Sequence, residues 1–162
     1  MAKDNDNTVY AFSDGSALGN PGPGGYGVVL KYGDNLKELN QGYVHTTNNR
    51  MELMGAIMAL ESLKERQRVV LTTDSQYVIN GIEKGWARKW RANGWMRNRK
   101  ERALNPDMWE RLLRAVDRHE VSFNWVRGHM GHPENERCDE LANGAAQGSD
   151  LIEDKVFVEA GG

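Results

Sequence analysis

Four carboxylates stand where folding could bring them together. Asp14 ends the run "TVYAFSD", Glu52 opens a helical pattern, Asp74 ends "VVLTTD", and Asp139 lies within "ENERCDEL". Alone, each has a plain explanation. Asp14 beside Gly15 suits a turn, Asp74 suits a helix N-cap, Glu52 completes a capping-box pattern with Asn49, and Asp139 suits a solvated helix face. Together they suggest more. Two of the acids end strands expected to lie side by side, and a third begins the helix between them. Ligands of open α/β sheets bind beyond the carboxyl ends of the strands. Glu52 is in helical register with Ala56, Ala59 and Leu63, and Asp139 with Ala142 and Ala146, so both border the inward side of their helices. Carboxylates gathered there repel one another unless a cation balances them. An all-oxygen donor set suits Mg²⁺ or Mn²⁺. A rival set, His129, His132 and Cys138, would bind zinc, but its H-x₂-H-x₅-C spacing matches no common structural zinc pattern.

The elements that must position these acids follow from hydrophobic periodicity. Strands are expected at "TVYAFSD", at "YGVVLKY" and, after the tight turn at "GDN", at "LKELNQGYV". From Asn49 the period changes: Leu53, Ala56, Ile57, Leu60 and Leu63 predict a helix that ends near "KERQR". "VVLTTD" reads as a central strand covered on both faces. "SQYVINGIEKGWARKW" predicts one or two short helices, broken at Gly81 and Gly85. "NPDMWERLLRAVDRH" predicts a helix capped by Asn105 with Pro106 at its first position. "VSFNWV" alternates as a strand, and "HPENERCDELANGAAQ" is the last helix, with Pro133 near its start and His132 as a structural residue beside it. The order predicts an α/β fold in which antiparallel strands join parallel ones, with helices on both faces.

Length and composition are those of an ordinary globular domain: 162 residues, 39% hydrophobic and 27% charged. The apolar runs are too short to span a membrane, the N-terminus carries no apolar signal segment, and the single cysteine suits a reducing compartment. A cytoplasmic protein is expected. The net charge of −2 would argue against a polyanion as partner, but its distribution does not. Between residues 84 and 102, eight cations (Lys84, Arg88, Lys89, Arg91, Arg97, Arg99, Lys100, Arg102) face one acid, Glu101, giving +7 there and −9 elsewhere. Trp86 and Trp90, one helical turn apart, usually would be core. Flanked by these cations, they point to nucleic acid.

The glycine-rich stretch after Asp14, "GSALGNPGPGG", has no lysine and does not open a helix, so it is not a phosphate loop. With "DGSALGNPGPGGYG", "TTNNRMEL", "TDSQYV" and "WVRGHMGHPENERCDELA" in this order, the chain resembles type 1 ribonuclease H, and most closely the bacterial ribonuclease HI enzymes, from about Thr8 to Gln147. Any one block would be weak; four in order, each with an acid, are specific.

The resemblance implies a ribonuclease H-like α/β fold with a five-stranded mixed sheet, forming one domain over residues 1–162. It implies a basic protrusion at about 84–102; the polar residues after about 148 are expected to be a loose tail. It implies a monomeric endonuclease that hydrolyses the RNA strand of RNA–DNA hybrids with two metal ions, Mg²⁺ or Mn²⁺, leaving 5′-phosphate and 3′-hydroxyl ends. Asp14, Glu52, Asp74 and Asp139 fall on the metal-binding acids, and His129 on a mobile-loop histidine that assists proton movement or product departure. Asn20, Asn48, Asn49 and Gln76 fall on residues facing the RNA minor groove, Thr47 on the DNA phosphate pocket, and Trp86 and Trp90 on the aromatic DNA groove. The glycines and prolines would shape a turn beside that groove while Asp14 holds metal. His45 departs from the pattern, standing where relatives often have an arginine that grips a DNA phosphate. Ala17, where relatives can have cysteine, and Met130, between two glycines, are smaller departures.

Two functions of other classes use the same features. A hybrid-binding module without catalysis would not need all four acids. A transposase or resolvase relative acting on DNA would be expected to carry a further DNA-binding domain.

Overall fold

The β-branched run beginning at Thr8 forms β1 (Thr8–Ala17), which pairs antiparallel with β2 (Gly22–Tyr32), itself antiparallel to β3 (Asn35–Thr46). The structure, a computed structural model, describes residues 7–128 and 131–162. On the other side of β1, β4 (Arg68–Thr73) and then β5 (Glu120–Trp125) join in parallel. The sheet has six strands, in the order β5-β4-β1-β2-β3-β6, rather than the five expected. The sixth, β6 (Leu151–Ile152), is two residues long and pairs with Gly42 and Tyr43 of β3, too short to leave a periodic signal in the sequence.

Among the described residues six helices complete the fold: α1 (Asn48–Glu61), α2 (Gln76–Glu83), α3 (Trp86–Ala92), α4 (Pro106–Arg118), α5 (Pro133–Gln147) and α6 (Lys155–Glu159). None of the helices among the described residues is long and apolar enough to cross a membrane. The main core lies between the sheet and the α1–α4 layer, where Val9, Ala11, Val28, Leu53, Ile57, Leu71 and Trp109 are buried. A smaller cluster of Phe12, Val29 and Cys138 lies under α5 on the opposite face.

The turn expected of "GNPGPGG" forms at its start, where the Leu18 N–H donates to the Pro23 carbonyl at 2.7 Å and a Cβ at Gly22 would meet the Gly19 nitrogen at 2.9 Å, but the later glycines do different work. Gly24, Gly25 and Gly27 lie within β2, and successive residues of a strand point to opposite faces. A Cβ at Gly24 would meet Met51 of α1 at 3.1 Å, whereas one at Gly25 would meet the Ala142 carbonyl of α5 at 2.7 Å. One at Gly27 would lie 2.2 Å from the Cys138 carbonyl. The missing side chains let α5 lie on the backbone of β2.

Local signals are resolved by competition between neighbours. Thr47 caps α1 by accepting from the Arg50 N–H, so Glu52 is not the partner of an Asn49 capping box. The helix stops at Glu61, before the basic segment expected to close it. Gly85, at φ 75°, separates α2 from α3. Gly81 does not interrupt α2; a Cβ there would strike the Trp109 ring at 2.0 Å. Asn105 precedes α4 as expected, but its backbone is left-handed at φ 58° and its side chain makes no capping bond. Instead its amide donates to Tyr77 Oη and accepts from Arg50 Nη1.

The segment after Gly148 is not the loose tail expected from its polarity. Asp154 is buried, accepting from Arg50 Nε at 2.7 Å, Arg50 Nη2 at 3.0 Å and Thr46 Oγ1 at 2.7 Å. A second carboxylate, Asp107, takes the remaining face of the Arg50 guanidinium. Buried charge anchors the tail at Asp154, and the Phe157 ring packs beneath the same guanidinium, 5.7 Å from it.

Candidate active site

The register of β1 against β4 fixes the first pair of acids. Ser13 pairs with Thr73, so Asp14 and Asp74 emerge together one residue farther, where the β1–β4 ladder ends: Asp74 follows the last residue of β4, whereas β1 stays paired with β2 past Asp14 as far as Ala17 instead of ending at the acid as expected. Ser75, not Asp74, caps α2 by accepting from the Val78 N–H, which removes the plain explanation for Asp74. Glu52 arrives from the start of α1, which packs so tightly on β1 that a Cβ at Gly15 would meet the Glu52 nitrogen at 2.3 Å. Carboxylate oxygens of Asp14, Glu52 and Asp74 lie within 4.8 Å of one another.

Asp139 joins them from α5 as a wall of the same narrow cleft, which Asp14, Asp74, His132, Asn135 and Glu136 also line. Its Oδ1 accepts from Asn143 Nδ2 at 3.2 Å, and Asn143 Oδ1 accepts from Ser16 Oγ at 2.6 Å. This relay ties the helix-borne acid back to β1, two residues from Asp14. All four predicted acids are brought to one end of the sheet.

Their electrostatics are those of a site waiting for positive charge. Burial, and then the negative charge of Asp74, push the Asp14 carboxyl from 3.8 up to about 8, although the Gly15 N–H donates to its Oδ1 at 2.9 Å. Burial, followed by the charges of Asp14 and Asp74, raises the Glu52 carboxyl well above the ordinary range. Glu52 Oε1 is buried without a hydrogen-bond partner among the described residues. An orphaned buried oxygen among repelling carboxylates, in a donor set of oxygen alone, fits a hard divalent cation. The zinc alternative loses its thiolate: Cys138 is buried against Phe12 and Val29, and burial raises its thiol so that it stays protonated. His132 stands at the N-cap of α5 with its ring 5.8 Å from that of Phe12. His129 lies outside the described residues.

The residues expected to meet nucleic acid fall into two groups. Asn20 Oδ1 accepts from the Asn48 N–H at 3.1 Å, which docks the loop before β2 on the start of α1 and gathers Asn20, Thr47, Asn48 and Asn49. Gln76, the first residue of α2, is exposed two positions beyond Asp74. The second group is a groove of about 780 Å³ between α3, α4 and the loop that joins them. Trp86, 42% exposed, stands at its rim beneath Lys84, whose Nζ is 5.3 Å from the ring centre. Trp90 is half-buried, packed edge-on against Trp109 at 6.1 Å, and forms the floor. His45 packs against Phe157 of α6, with ring centres 5.6 Å apart.

Sequence reasoning passed over Asn135 and Glu136 in the cleft, and Gly128, where a Cβ would stand 2.6 Å from Asp74 Oδ2. The signal for Asn135 was present: it lies four residues before Asp139, on the same helix face.

Comparison with known proteins shows the family and the fold. Residues 6–147 match the family model of RNase H. The chain is 64% identical to a ribonuclease H of Desulforamulus reducens over 143 residues, 88% of this chain and 90% of that one. It is 53% identical to ribonuclease HI of Synechocystis sp. over 152 residues, 93% and 95% of the two chains. Among solved structures, LC9-RNase H1, a type 1 RNase H with the type 2 active-site motif, superposes with a TM-score of 0.77 at 36% identity, over 86% of this chain and 72% of that one. LC11-RNase H1, solved in complex with an RNA/DNA hybrid, shares the fold with a TM-score of 0.63 at 21% identity, over 92% and 99%. The fold and the acids define a ribonuclease H-like hydrolase. The chain belongs to the RNase H family.

Proposed function

We propose that this protein is an endonuclease that hydrolyses the RNA strand of RNA–DNA hybrids with two divalent cations, leaving 5′-phosphate and 3′-hydroxyl ends. The observation that carries this reading is the meeting of Asp14, Glu52 and Asp74 within 4.8 Å, with Asp139 on the wall of the same cleft. Asp14, Glu52 and Asp74 would hold one cation, and Asp14 with Asp139 the other; Mg²⁺ suits them, with Mn²⁺ as a substitute. When bound, the cations supply the positive charge that activates the nucleophile and stabilises the departing oxygen. The protein's own part is to hold the acids rigidly and to place the RNA strand over them.

Asn20, Asn48, Asn49 and Gln76 would read 2′-hydroxyls in the wide, shallow minor groove. Each amide has a donor and an acceptor, as the hydroxyl does. Thr47 would meet a DNA phosphate, and Trp86 and Trp90 the DNA strand. His129 would move a proton or assist product departure. A monomer acting in the cytoplasm is part of the same proposal, checked by light scattering and cell fractionation.

The test is a labelled hybrid incubated with and without Mg²⁺, beside duplex DNA and single-stranded RNA, with product ends identified. Mg²⁺-dependent cuts confined to the RNA of the hybrid are expected. Binding without cleavage would reduce the protein to a hybrid-binding module, and cleavage of duplex DNA would place it with the DNA-acting relatives.

A further inference from the structure

The acid cleft contains a side chain that the four-carboxylate site does not use. Asn135 is 7% exposed, and neither its Oδ1 nor its Nδ2 has a hydrogen-bond partner among the described residues. It lies in the first turn of α5, one helical turn before Asp139, and lines the cleft beside Asp14, Asp74 and Asp139. Buried amides are almost always hydrogen-bonded, and the exceptions mark a strained or functional group. The cleft holds about 30 Å³ of water-sized space. One water needs roughly 10–15 Å³ measured in this way, so there is room for a water or two but not for a nucleotide.

We infer that Asn135 orients the attacking water of the reaction, an inference that rests on the hydrolysis proposed above. Ionised carboxylates can only accept hydrogen bonds, so the acids that line the cleft cannot by themselves fix both the protons and the lone pairs of a water. The Asn135 amide supplies what they lack. Its Oδ1 accepts one water proton, turning a lone pair towards phosphorus, while Nδ2 donates to the phosphoryl oxygen that gains charge. The water oxygen bonds to phosphorus as the bond from phosphorus to the 3′ oxygen breaks. One water proton leaves to solvent and the 3′ oxygen takes one up, so no net proton is released and nothing is oxidised. Asn135 itself transfers no proton.

Asn135→Ala and the near-isosteric Asn135→Leu test this through three readouts: hybrid cleavage at saturating Mg²⁺, calorimetric titration of the protein with Mg²⁺ alone, and the thermal midpoint without metal. The expected result is a kcat lower by about 10- to 100-fold with KM within a factor of about three, in line with the cost of misplacing a reacting group. Mg²⁺ affinity should be unchanged, because the carboxylates stay in place. The Leu variant should melt no lower than wild type, because it removes a buried amide that has no partner among the described residues. A loss of Mg²⁺ affinity would make Asn135 a cation ligand and overturn the inference. A lower midpoint with kcat retained would make it structural and overturn it too. An inactive wild-type protein would overturn the hydrolytic reading and this inference with it, whereas an active wild type beside an equally active Asn135→Ala overturns this inference alone.

Discussion

Arg50 and Asp154, 104 positions apart, meet in a two-pronged ion pair: Arg50 Nε donates to Asp154 Oδ2 at 2.7 Å and Nη2 to Oδ1 at 3.0 Å. Both side chains are nearly excluded from solvent, 3% and 5% exposed. Arg50 lies in the first turn of α1, two residues before Glu52, so the pair braces the helix that delivers one of the acids.

Removing one partner leaves a buried charge unbalanced, which costs about 3–5 kcal/mol. At about 2–4 °C per kcal/mol for a chain of this size, Asp154→Ala should lower the thermal midpoint by roughly 10 °C. Calorimetric melting checks this; a midpoint within a degree or two of wild type would show that Asp107 alone neutralises Arg50.

Asp14→Asn should abolish cleavage and stabilise the metal-free protein. The Asp14 carboxyl lies at about 8 in the folded state against 3.8 ordinarily. Between these values the folded protein keeps a proton that the unfolded chain has lost. Its contribution to stability is therefore full below the lower value and is lost as pH rises through the upper one. At pH 8.5 without metal the Asn variant should melt several degrees higher than wild type, an advantage that disappears near pH 4. Saturating Mg²⁺ should narrow the gap by stabilising wild type. Full activity of the variant would remove Asp14 from the site.

His119 should act in the opposite direction. Its Nδ1 accepts from the Gln67 N–H at 3.0 Å, which leaves Nε2 to donate to the Leu60 carbonyl at 3.1 Å, so the neutral ring is fully bonded. Burial, aided by Arg118 and Arg66, holds its pKa below 6.5, although the Leu60 carbonyl opposes this. The folded state therefore loses a proton more readily than the unfolded chain, and the contribution is full above about 6.5 and lost as pH falls through the lower folded value. The stability gap between wild type and His119→Gln, from urea melts, should shrink as pH falls from 7.5 to 5. A gap independent of pH would show that the ring does not titrate in this window.

The cations of the basic segment should divide by their partners. Arg88 is paired with Asp117 and Arg97 with Glu101, whereas no ion pair is made by Lys89, Arg99 or Lys100 among the described residues. Replacing Lys89, Arg99 and Lys100 together should raise KM for a hybrid with kcat nearly unchanged. The salt dependence should flatten by about 0.7–0.9 log units for each phosphate that is no longer neutralised. Replacing Arg88 should instead disturb its attachment to α4. A collapse of kcat with an unchanged salt slope would show that the segment does not act as an electrostatic handle.

How much of the fold and site is legible in the chain follows from the range of each interaction. The four acids can be found because Asp74 follows β4, Glu52 lies near the start of α1 and Asp139 on the inward flank of α5, while Asp14 closes the apolar run of β1 although the strand itself continues to Ala17. The capping syntax around them is harder: Thr47 and Ser75 each take a position that the local pattern gives to a neighbour. The anchored tail is beyond local reasoning, because "LIEDK" is polar and its partner Arg50 comes from the far end of the chain. The glycines of β2 resemble turn formers because nothing in a single strand announces the helix that will lie on it.

At Gly25 and Gly27 that close approach of α5 to β2 leaves no side chain of the strand between the two layers. At Gly27 the backbone of one layer faces the backbone of the other, so the thickness of the peptide itself gauges the spacing between Asp14 and Asp139. The tolerance of the cleft is set by atoms that substitution cannot alter, except at the glycines themselves.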